Sequence, residues 1–226
     1  MGGIALIIFD NDGVVVDSEL LANRVLAELL SEAGHPTTVE DSIRDYLGGT
    51  LAGVHGIVKQ RSGCDLPHGF DDAYHARLFA AFATDLRPVP GIADVLEGVA
   101  SGLGVPFCLA SSGTRDRIRR SLTVTGLLGR FEGRIFSAED VAHGKPAPDL
   151  FLHVASTLAV DPARCVVVED SPNGVSAARA AGMTALGYAA LTPADRLAGA
   201  AATFSTMDGL LPLLAELDAA PPAGGS

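Results

Sequence analysis

Cysteine and aromatic residues are scarce in this sequence, which has three cysteines, no tryptophan and 5% aromatic residues in a length of 226. Cys64, Cys108 and Cys165 have no close spacing, so the sequence indicates neither a disulfide framework nor a cysteine metal site. Cys108 and Cys165 lie within apolar runs. We therefore expect these two to be reduced thiols in the core of a cytoplasmic protein.

Long hydrophobic runs are also missing. No segment approaches the roughly 20 apolar residues that a membrane-spanning helix needs. The start at Met1-Gly2-Gly3 lacks the basic region of a signal peptide. We therefore expect a cytoplasmic protein that has no membrane partner.

Basic residues are fewer than acidic ones: the sequence has 16 Lys and Arg residues and 27 Asp and Glu residues, and its formal net charge is −11. Nucleic acid is not an expected partner, because binding its phosphate backbone requires clustered basic residues. The densest basic cluster is Arg115, Arg117, Arg119 and Arg120, whose spacing along a predicted helix indicates a solvated surface. A small anion could still bind where a metal ion or a lysine concentrates positive charge. We expect a monomer or a weak homodimer.

Apolar residues are plentiful, at 48% of the chain, and they occur in short continuous runs. The runs at 4–9, 105–109 and 165–168, with a weaker one at 183–186, predict strands that are buried on both faces. Predicted helices lie between and beside them, at 92–99, 115–122, 150–158 and 175–180. Strands that alternate with helices predict an α/β fold with a Rossmann-like parallel sheet.

One interval, 17–86, interrupts this alternation with helical patterns and no convincing strand. Asp17 or Ser18 could cap a first helix, and further helices are predicted at 39–46, 51–59 and 70–82. We expect an inserted α-helical cap domain at 17–86, within a core domain formed by 1–16 and 87–218. The last residues, 219–226, are expected to be disordered.

Two acidic motifs follow predicted strands. Asp10-Asn11-Asp12-Gly13 comes directly after the first run, and Glu169-Asp170 comes after the run at 165–168. Ligands of open α/β sheets bind beyond the carboxyl ends of the strands. Carboxylates concentrated there are costly unless a cation neutralises them, and hard oxygen ligands of this kind suit Mg²⁺. The first motif alone would be interpreted as an ordinary Asp-Gly turn.

A serine turn and a lysine occupy two further strand ends. Ser111-Ser112-Gly113 follows the run at 105–109, and its hydroxyl and backbone N–H groups could cradle an anion. Lys145 lies between Gly144 and Pro146, in a segment whose prolines limit its conformers, so its ammonium could pair with an aspartyl or phosphoryl oxygen. Each motif alone also fits a simpler interpretation, a helix-capping serine or a solvated lysine. Four unrelated explanations of this kind account less well for the motifs than one shared site at the sheet edge does.

In their order and context these motifs resemble those of the haloacid dehalogenase-like hydrolase superfamily, over nearly the whole chain. The stretch from Phe9 to Ser18 is similar to the first motif of that family. Ser111, Lys145 and Glu169-Asp170 fall on its second, third and fourth motifs. The insert at 17–86 resembles the helical cap of the branch that contains β-phosphoglucomutase-like enzymes and sugar-phosphate phosphatases.

The resemblance implies a Mg²⁺-dependent phosphatase that hydrolyses a small phosphorylated metabolite, such as a sugar or sugar-acid phosphate. Asp10 would attack phosphorus and form an aspartyl-phosphate intermediate. Asp12 would protonate the leaving oxygen and later deprotonate the attacking water. Dividing one difficult reaction into two easier steps is the usual benefit of a covalent intermediate.

The resemblance also implies which residues bind the phosphoryl group, the metal and the substrate. Ser111 and Lys145 would hold the phosphoryl oxygens, assisted by the backbone of Asn11 and Ser112. The metal ligands would be Asp10, the Asp12 carbonyl, Asp170 and Glu169, the last either directly or through water. A cap loop that contains Gly48, Gly49 and Thr50 would select the substrate.

Two alternative functions stay open. Mutases of this branch carry a His at the position of Ala22 and an Arg at the position of Leu51, so both departures favour a phosphatase over a β-phosphoglucomutase-type mutase. A non-catalytic sugar-phosphate-binding protein on the same fold is the other alternative. The intact acidic residues, serine and lysine argue against it.

Overall fold

The computed structural model describes residues 3–47 and 51–219, which form two compact units. The first unit contains the described residues up to Val16 and from Pro88 onward. The second unit is the helical segment Asp17–Arg87. Arg87 therefore belongs to the helical unit, one residue beyond the predicted end of the insert.

Six parallel strands form one sheet in the first unit. They are β1 (Leu6–Phe9), β2 (Phe107–Ser111), β3 (Ile135–Ser137), β4 (Cys165–Glu169), β5 (Thr184–Tyr188) and β6 (Ala202–Phe204). The predicted α/β fold with a Rossmann-like parallel sheet is confirmed. The sequence pattern does not predict β3 and β6, because a strand of three residues carries too short an apolar run.

Four helices make up the described part of the second unit: α1 (Ser18–Glu32), α2 (Val39–Tyr46), α3 (Leu51–Ser62) and α4 (Phe70–Asp85). Apolar side chains of α1, α3 and α4, with Leu66 of the loop between α3 and α4, share one core. Its helical members include Val25, Leu26, Leu29, Leu30, Val54, Val58 and Phe70. A buried hydrogen bond joins α2 to α1, in which Ser42 Oγ donates to Asn23 Oδ1 over 2.9 Å. The unit thus has a small apolar core of its own.

The remaining helices flank the sheet: α5 (Ile92–Glu97), α6 (Arg115–Val124), α7 (Leu128–Phe131), α8 (Asp149–Thr157), α9 (Pro172–Ala180) and α10 (Leu210–Ala219). A π-helical segment, Gly98–Leu103, continues α5. The last helix includes Ala219, the first residue of the predicted disordered tail, and the rest of that tail lies outside the described residues. Among residues 3–47 and 51–219, no helix combines the length and apolar character needed to cross a bilayer.

The sheet reverses its winding direction between β1 and β4. Its strand order is β3-β2-β1-β4-β5-β6, so the chain moves one way from β1 to β3 and the other way from β4 to β6. Ligands of such sheets bind at this switch point, beyond the carboxyl ends of the strands. Phe9 of β1 pairs with Leu109 of β2 and with Val168 of β4. The residues after these three therefore emerge side by side at one edge of the sheet.

The strands at the switch point are held in a dense core. Every residue of β1, β2 and β4 is buried, and fully burying one large apolar side chain contributes roughly 1.5–3 kcal/mol. Cys108 and Cys165 are 0% exposed, which confirms that both are core thiols. Residues at the ends of these strands start from a rigid framework, as a site with precise geometry requires.

Candidate active site

Acidic residues occupy the sheet edge at the switch point. Asp10 directly follows β1, Glu169 is the last residue of β4, and Asp170 comes next. Asp10 is 7% exposed and Glu169 is 1% exposed. Two carboxylates buried this deeply side by side require a positive partner, because burial removes the water that would otherwise stabilise their charge.

Lys145 is that partner. Its Nζ donates to Asp10 Oδ1 over 2.6 Å, to Glu169 Oε1 over 2.7 Å and to the Ala110 carbonyl oxygen over 3.0 Å. These bonds employ all three N–H donors of the ammonium group. The Lys145 side chain is only 4% exposed, and its Nζ lies 5.0 Å from the centre of the Phe151 ring. Residues from three distant segments thus form one buried ionic cluster.

The pKa values of Asp10 and Lys145 reflect this environment. Burial raises the pKa of Asp10 to about 7, the Lys145 ammonium opposes the rise, and the carboxylates of Glu169 and Asp12 add to it. Burial lowers the pKa of Lys145, but the carboxylates of Asp10 and Glu169 outweigh burial and raise that pKa above its ordinary value. Lys145 is therefore protonated, held between the two acidic side chains of Asp10 and Glu169.

The acidic residues of this edge fit a divalent cation. Asp10, Glu169 and Asp170 each offer one carboxylate oxygen, and these oxygens lie within 4.8 Å of one another. Oxygen ligands of this kind suit Mg²⁺, which binds through few carboxylates and keeps several waters. These three acidic residues outnumber the single ammonium of Lys145, which also favours a bound cation.

Glu169 is fixed by the turn that follows β4. Its Oε2 accepts hydrogen bonds from Ser171 N and Ser171 Oγ, both over 2.9 Å. Ser171 also caps α9, because its Oγ accepts from Gly174 N over 3.0 Å. A Cβ on Gly174 would lie 1.8 Å from the Glu169 carboxylate. The glycine therefore leaves the space in which the glutamate lies.

The turn after β1 is fixed by its own backbone. The Asn11 carbonyl accepts from Val15 N and Val16 N, both over 3.0 Å, and Gly13 N donates to the Val16 carbonyl over 2.9 Å. Gly13 has a φ of +82°, in the left-handed region that favours glycine. The Asn11 side chain is fully buried, and its Nδ2 donates to Ser121 Oγ over 3.3 Å. This side chain therefore supports the turn from inside the protein.

The loop after β2 connects a buried serine to the start of α6. Ser111 is 1% exposed, and its Oγ accepts from Gly113 N over 3.0 Å. Ser112 is exposed. Thr114 caps α6, since its Oγ1 accepts from Arg117 N over 3.3 Å. A hydroxyl beside a helix N-terminus is suited to an anion.

Arg117 corrects the prediction that the basic cluster on α6 is only a solvated surface. Its Nη2 donates to Asp12 Oδ1 over 2.8 Å, and the two side chains are 36% and 18% exposed. Arg119 and Arg120 do form exposed ion pairs, with Glu132 and Asp116. The sequence contained a signal for Arg117, because a cation in the first turn of a helix opposes the helix dipole unless an acid lies nearby.

The structure places most predicted site residues around the switch point. Asp10, Lys145, Glu169 and Asp170 come together directly, Asp12 lies in the turn after β1, and Ser111 ends the neighbouring strand. Gly48, Gly49 and Thr50, predicted to contact the substrate, lie outside the described residues. Sequence reasoning missed Ser171 and Gly174. Gly174 directly precedes the predicted helix 175–180 and lies in the first turn of the observed α9, and a glycine inside a helix often has a packing reason.

Comparison with known proteins identifies related sequences and structures. A family model for haloacid dehalogenase-like hydrolases matches residues 4–182. The 6-phosphogluconate phosphatase of Escherichia coli (strain K12) is 28% identical over 184 residues, which span 81% of each chain. The phosphorylated carbohydrates phosphatase of Thermotoga maritima is 32% identical over 178 residues, or 78% of this chain and 81% of its own.

A solved structure is similar over its full length. It is the crystal structure of a HAD family hydrolase from Deinococcus radiodurans R1 with bound phosphate and sodium. Its TM-score is 0.84 at 32% sequence identity, and the alignment covers 99% of this chain and 100% of that chain. The likeness therefore extends over the sheet and the helical segment alike.

Proposed function

Because the chain belongs to the haloacid dehalogenase-like hydrolase family, we propose that it is a Mg²⁺-dependent phosphatase that forms an aspartyl-phosphate on Asp10. The family and its phosphatase relatives make the chain a phosphoric monoester hydrolase. We further propose a small phosphorylated sugar or sugar acid as its substrate, the class that the names of these relatives indicate.

One observation carries this proposal. The ammonium of Lys145 contacts Asp10 and Glu169 at once, at the edge where Asp170 also lies. Buried acids paired with a single lysine are expensive for stability, and such arrangements cluster at functional sites. A phosphate monoester brings further negative charge, which a bound divalent cation would offset.

The reaction would proceed in two steps. First, an Asp10 carboxylate oxygen attacks phosphorus, the bond from phosphorus to the sugar oxygen breaks, and Asp12 donates a proton to that oxygen. Second, water attacks phosphorus, Asp12 takes a proton from the water, and the bond from phosphorus to Asp10 breaks. Inorganic phosphate leaves, and Asp10 and Asp12 return to their starting protonation states. General acid and base assistance of this kind typically contributes about 10²–10⁴-fold to a rate.

The surrounding residues would stabilise the transferred group. Ser111, Lys145 and the backbone of Asn11 and Ser112 would hold the phosphoryl oxygens. Asp10, Asp170 and the Asp12 carbonyl would hold Mg²⁺, which when bound offsets the charge of phosphate and nucleophile. Since Lys145 and Ser171 already engage both oxygens of Glu169, we propose that this residue acts on the metal through water.

We propose that the helical unit selects the substrate. We propose that the loop with Gly48, Gly49 and Thr50 contacts the sugar portion of the substrate, as the resemblance implies. Ala22 and Leu51 replace the His and Arg of related mutases, so we propose hydrolysis in preference to isomerisation. A mutase would instead convert a hexose 1-phosphate with little net release of phosphate.

The decisive experiment measures phosphate release from 4-nitrophenyl phosphate, 6-phosphogluconate and other sugar phosphates, with Mg²⁺ and after chelation by EDTA. We expect Mg²⁺-dependent turnover, and we expect Asp10→Asn to abolish it without loss of the folded state. Asp116→Asn is the matched control, because Asp116 is a surface acid on α6 whose side chain is 75% exposed. Wild-type activity in Asp10→Asn would refute the assignment of the nucleophile.

A further inference from the structure

The contact between Arg117 and Asp12 joins two residues that lie 105 positions apart. Arg117 Nη2 donates to Asp12 Oδ1 over 2.8 Å. A charged donor and a charged acceptor form a stronger and more directional hydrogen bond than a neutral pair does. The contact can therefore hold the Asp12 carboxylate in one orientation.

The location of Arg117 is electrostatically unfavourable for α6 itself. Arg117 is the third residue of the helix, and its backbone N–H is bound by the capping residue Thr114. The positive end of the helix dipole lies in this first turn, where acidic side chains stabilise and basic ones do not. Asp12 offsets that cost, so helix stability alone gives no reason for an arginine here.

The backbone of Asp12 is already fixed, which leaves only its side chain to be oriented. The flanking residues Asn11 and Gly13 are both bonded to Val16, over 3.0 Å and 2.9 Å. The stem of Arg117 runs beside Gly113, with its Cδ 3.7 Å from where a Cβ on that glycine would lie. Arg117 thus reaches Asp12 from beside the serine loop.

The other arginines of α6 have different partners. Arg115 pairs with Asp140, Arg119 with Glu132, and Arg120 with Asp116. Arg119 and Glu132 are 46% and 60% exposed, so their interaction is screened by water and salt. Of these four arginines, Arg117 is the one that pairs with a residue of the proposed reaction, Asp12.

We propose, resting on the proposed function, that Arg117 is a positioning residue that holds the Asp12 carboxylate for proton transfer. Arg117 acts on the reaction through Asp12 and does not bind the phosphoryl group itself. A misplaced proton donor slows a step in which the leaving oxygen must gain a proton, and such misplacement can cost about 10²-fold. A leaving group that departs readily as an anion depends less on that proton.

The test compares Arg117→Met, which keeps the length of the stem without the charge, with the control Arg119→Met. Steady-state kinetics are measured with the sugar phosphate of highest turnover in the panel above. We expect Arg117→Met to lower kcat by about tenfold to hundredfold with little change in KM, and Arg119→Met to leave both unchanged. Arg117→Lys should recover part of the loss, because an ammonium keeps the charge without the planar fork of the guanidinium.

Two further measurements separate positioning from direct binding of phosphate. When Asp12→Asn is already present, adding Arg117→Met should lower kcat by a further factor of less than about two, because the two residues act as a unit. The single-turnover release of 4-nitrophenol from 4-nitrophenyl phosphate should be less sensitive to Arg117→Met than sugar release is. A rise in KM with kcat unchanged, independent effects of the two substitutions, or equal losses on both substrates would overturn the proposal.

The proposed function is tested separately in the same assay. Wild-type protein and Asp10→Asn are measured first, and full activity of Asp10→Asn would remove the premise whatever Arg117 does. If Asp10→Asn is inactive and Arg117→Met matches wild type, the premise holds and the role of Arg117 is refuted. Arg117→Gln, which retains a polar side chain, is the replacement if Arg117→Met does not fold.

Discussion

A buried ion pair of the α/β unit contrasts with an exposed ion pair of the helical unit. In the α/β unit, Lys145 and Glu169 form an ion pair with side chains 4% and 1% exposed. In the helical unit, Arg77 of α4 pairs with Glu32 of α1, and these side chains are 40% and 57% exposed. The first pair lies beneath the surface at the end of β4, whereas the second bridges two helices in contact with water.

The difference in burial implies a difference in purpose. Exposed ion pairs contribute about 0–1 kcal/mol, so they can be lost without great effect on stability. Buried pairs are frequently no better for stability than apolar residues of the same size, and removing one partner is costly. Buried charges beside an acidic cluster therefore favour a chemical role over a purely structural one. This is the role proposed above for the cluster at the switch point.

The chain has two lysines, Lys145 and Lys59, and replacing each of them tests this comparison. The replacement of Lys145 has the largest expected effect on stability and turnover. Lys145→Met would leave the buried Asp10 and Glu169 carboxylates without their ammonium, at a cost of about 3–5 kcal/mol in the free energy of unfolding. We also expect turnover to fall by at least about 10²-fold, since the electrostatic stabilisation of phosphate would be lost. Urea unfolding and phosphate release measure the two effects.

Lys59→Met is the matched control, because Lys59 of α3 pairs with Asp65 at a surface where the side chains are 62% and 74% exposed. Its unfolding free energy should change by less than about 1 kcal/mol. Equal destabilisation by the two substitutions would show that burial does not distinguish the two units.

Replacing one glycine in each unit by alanine tests the same comparison, with an intermediate expected effect on stability. Gly174→Ala would place a Cβ 1.8 Å from the Glu169 carboxylate, so we expect a loss of about 1–3 kcal/mol and reduced turnover. Gly56→Ala, in α3, meets no atom within 4 Å and should stabilise the protein by about 0.5–1 kcal/mol. Thermal unfolding of both variants gives the result. A stabilising Gly174→Ala would contradict the described position of Glu169.

The sequence was sufficient to predict the features that depend on short stretches of chain. Buried parallel strands appear as continuous apolar runs, which is why β1, β2 and β4 could be predicted together with the acidic motifs after them. Parallel strands in an open sheet bring their carboxyl ends to one edge, so the convergence of Asp10 and Glu169 followed from the fold class. The roles of these residues in a reaction stay predictions.

Features that depend on distant contacts could not be predicted in this way. The pairing of Arg117 with Asp12 requires α6 to start beside the turn after β1, and spacing along α6 alone indicates a surface arginine. The space that Gly174 leaves for Glu169 depends on the rotamer of that glutamate, which Lys145 and Ser171 determine. Such contacts become visible only once side chains from separate segments are placed together.

The smallest expected effect concerns Asp45 of α2, whose carboxylate pairs with Arg44 and with Arg61 of α3. Hydrogen bonds from Arg61 and Arg44 lower the pKa of Asp45 to about 2, whereas an unfolded aspartate has a pKa of about 4. A depressed folded-state pKa means that the stabilisation is present above pH 4 and is lost as the pH falls toward 2.

Asp45→Asn should therefore be less stable than wild type at pH 6, by a margin that shrinks between pH 4 and pH 2. Urea unfolding across this range measures the margin, and turnover at pH 7 should not change. A margin that stays constant down to pH 2 would mean that Asp45 supports the helical unit through packing instead of charge, and the contrast between the two units would then no longer rest on electrostatics alone.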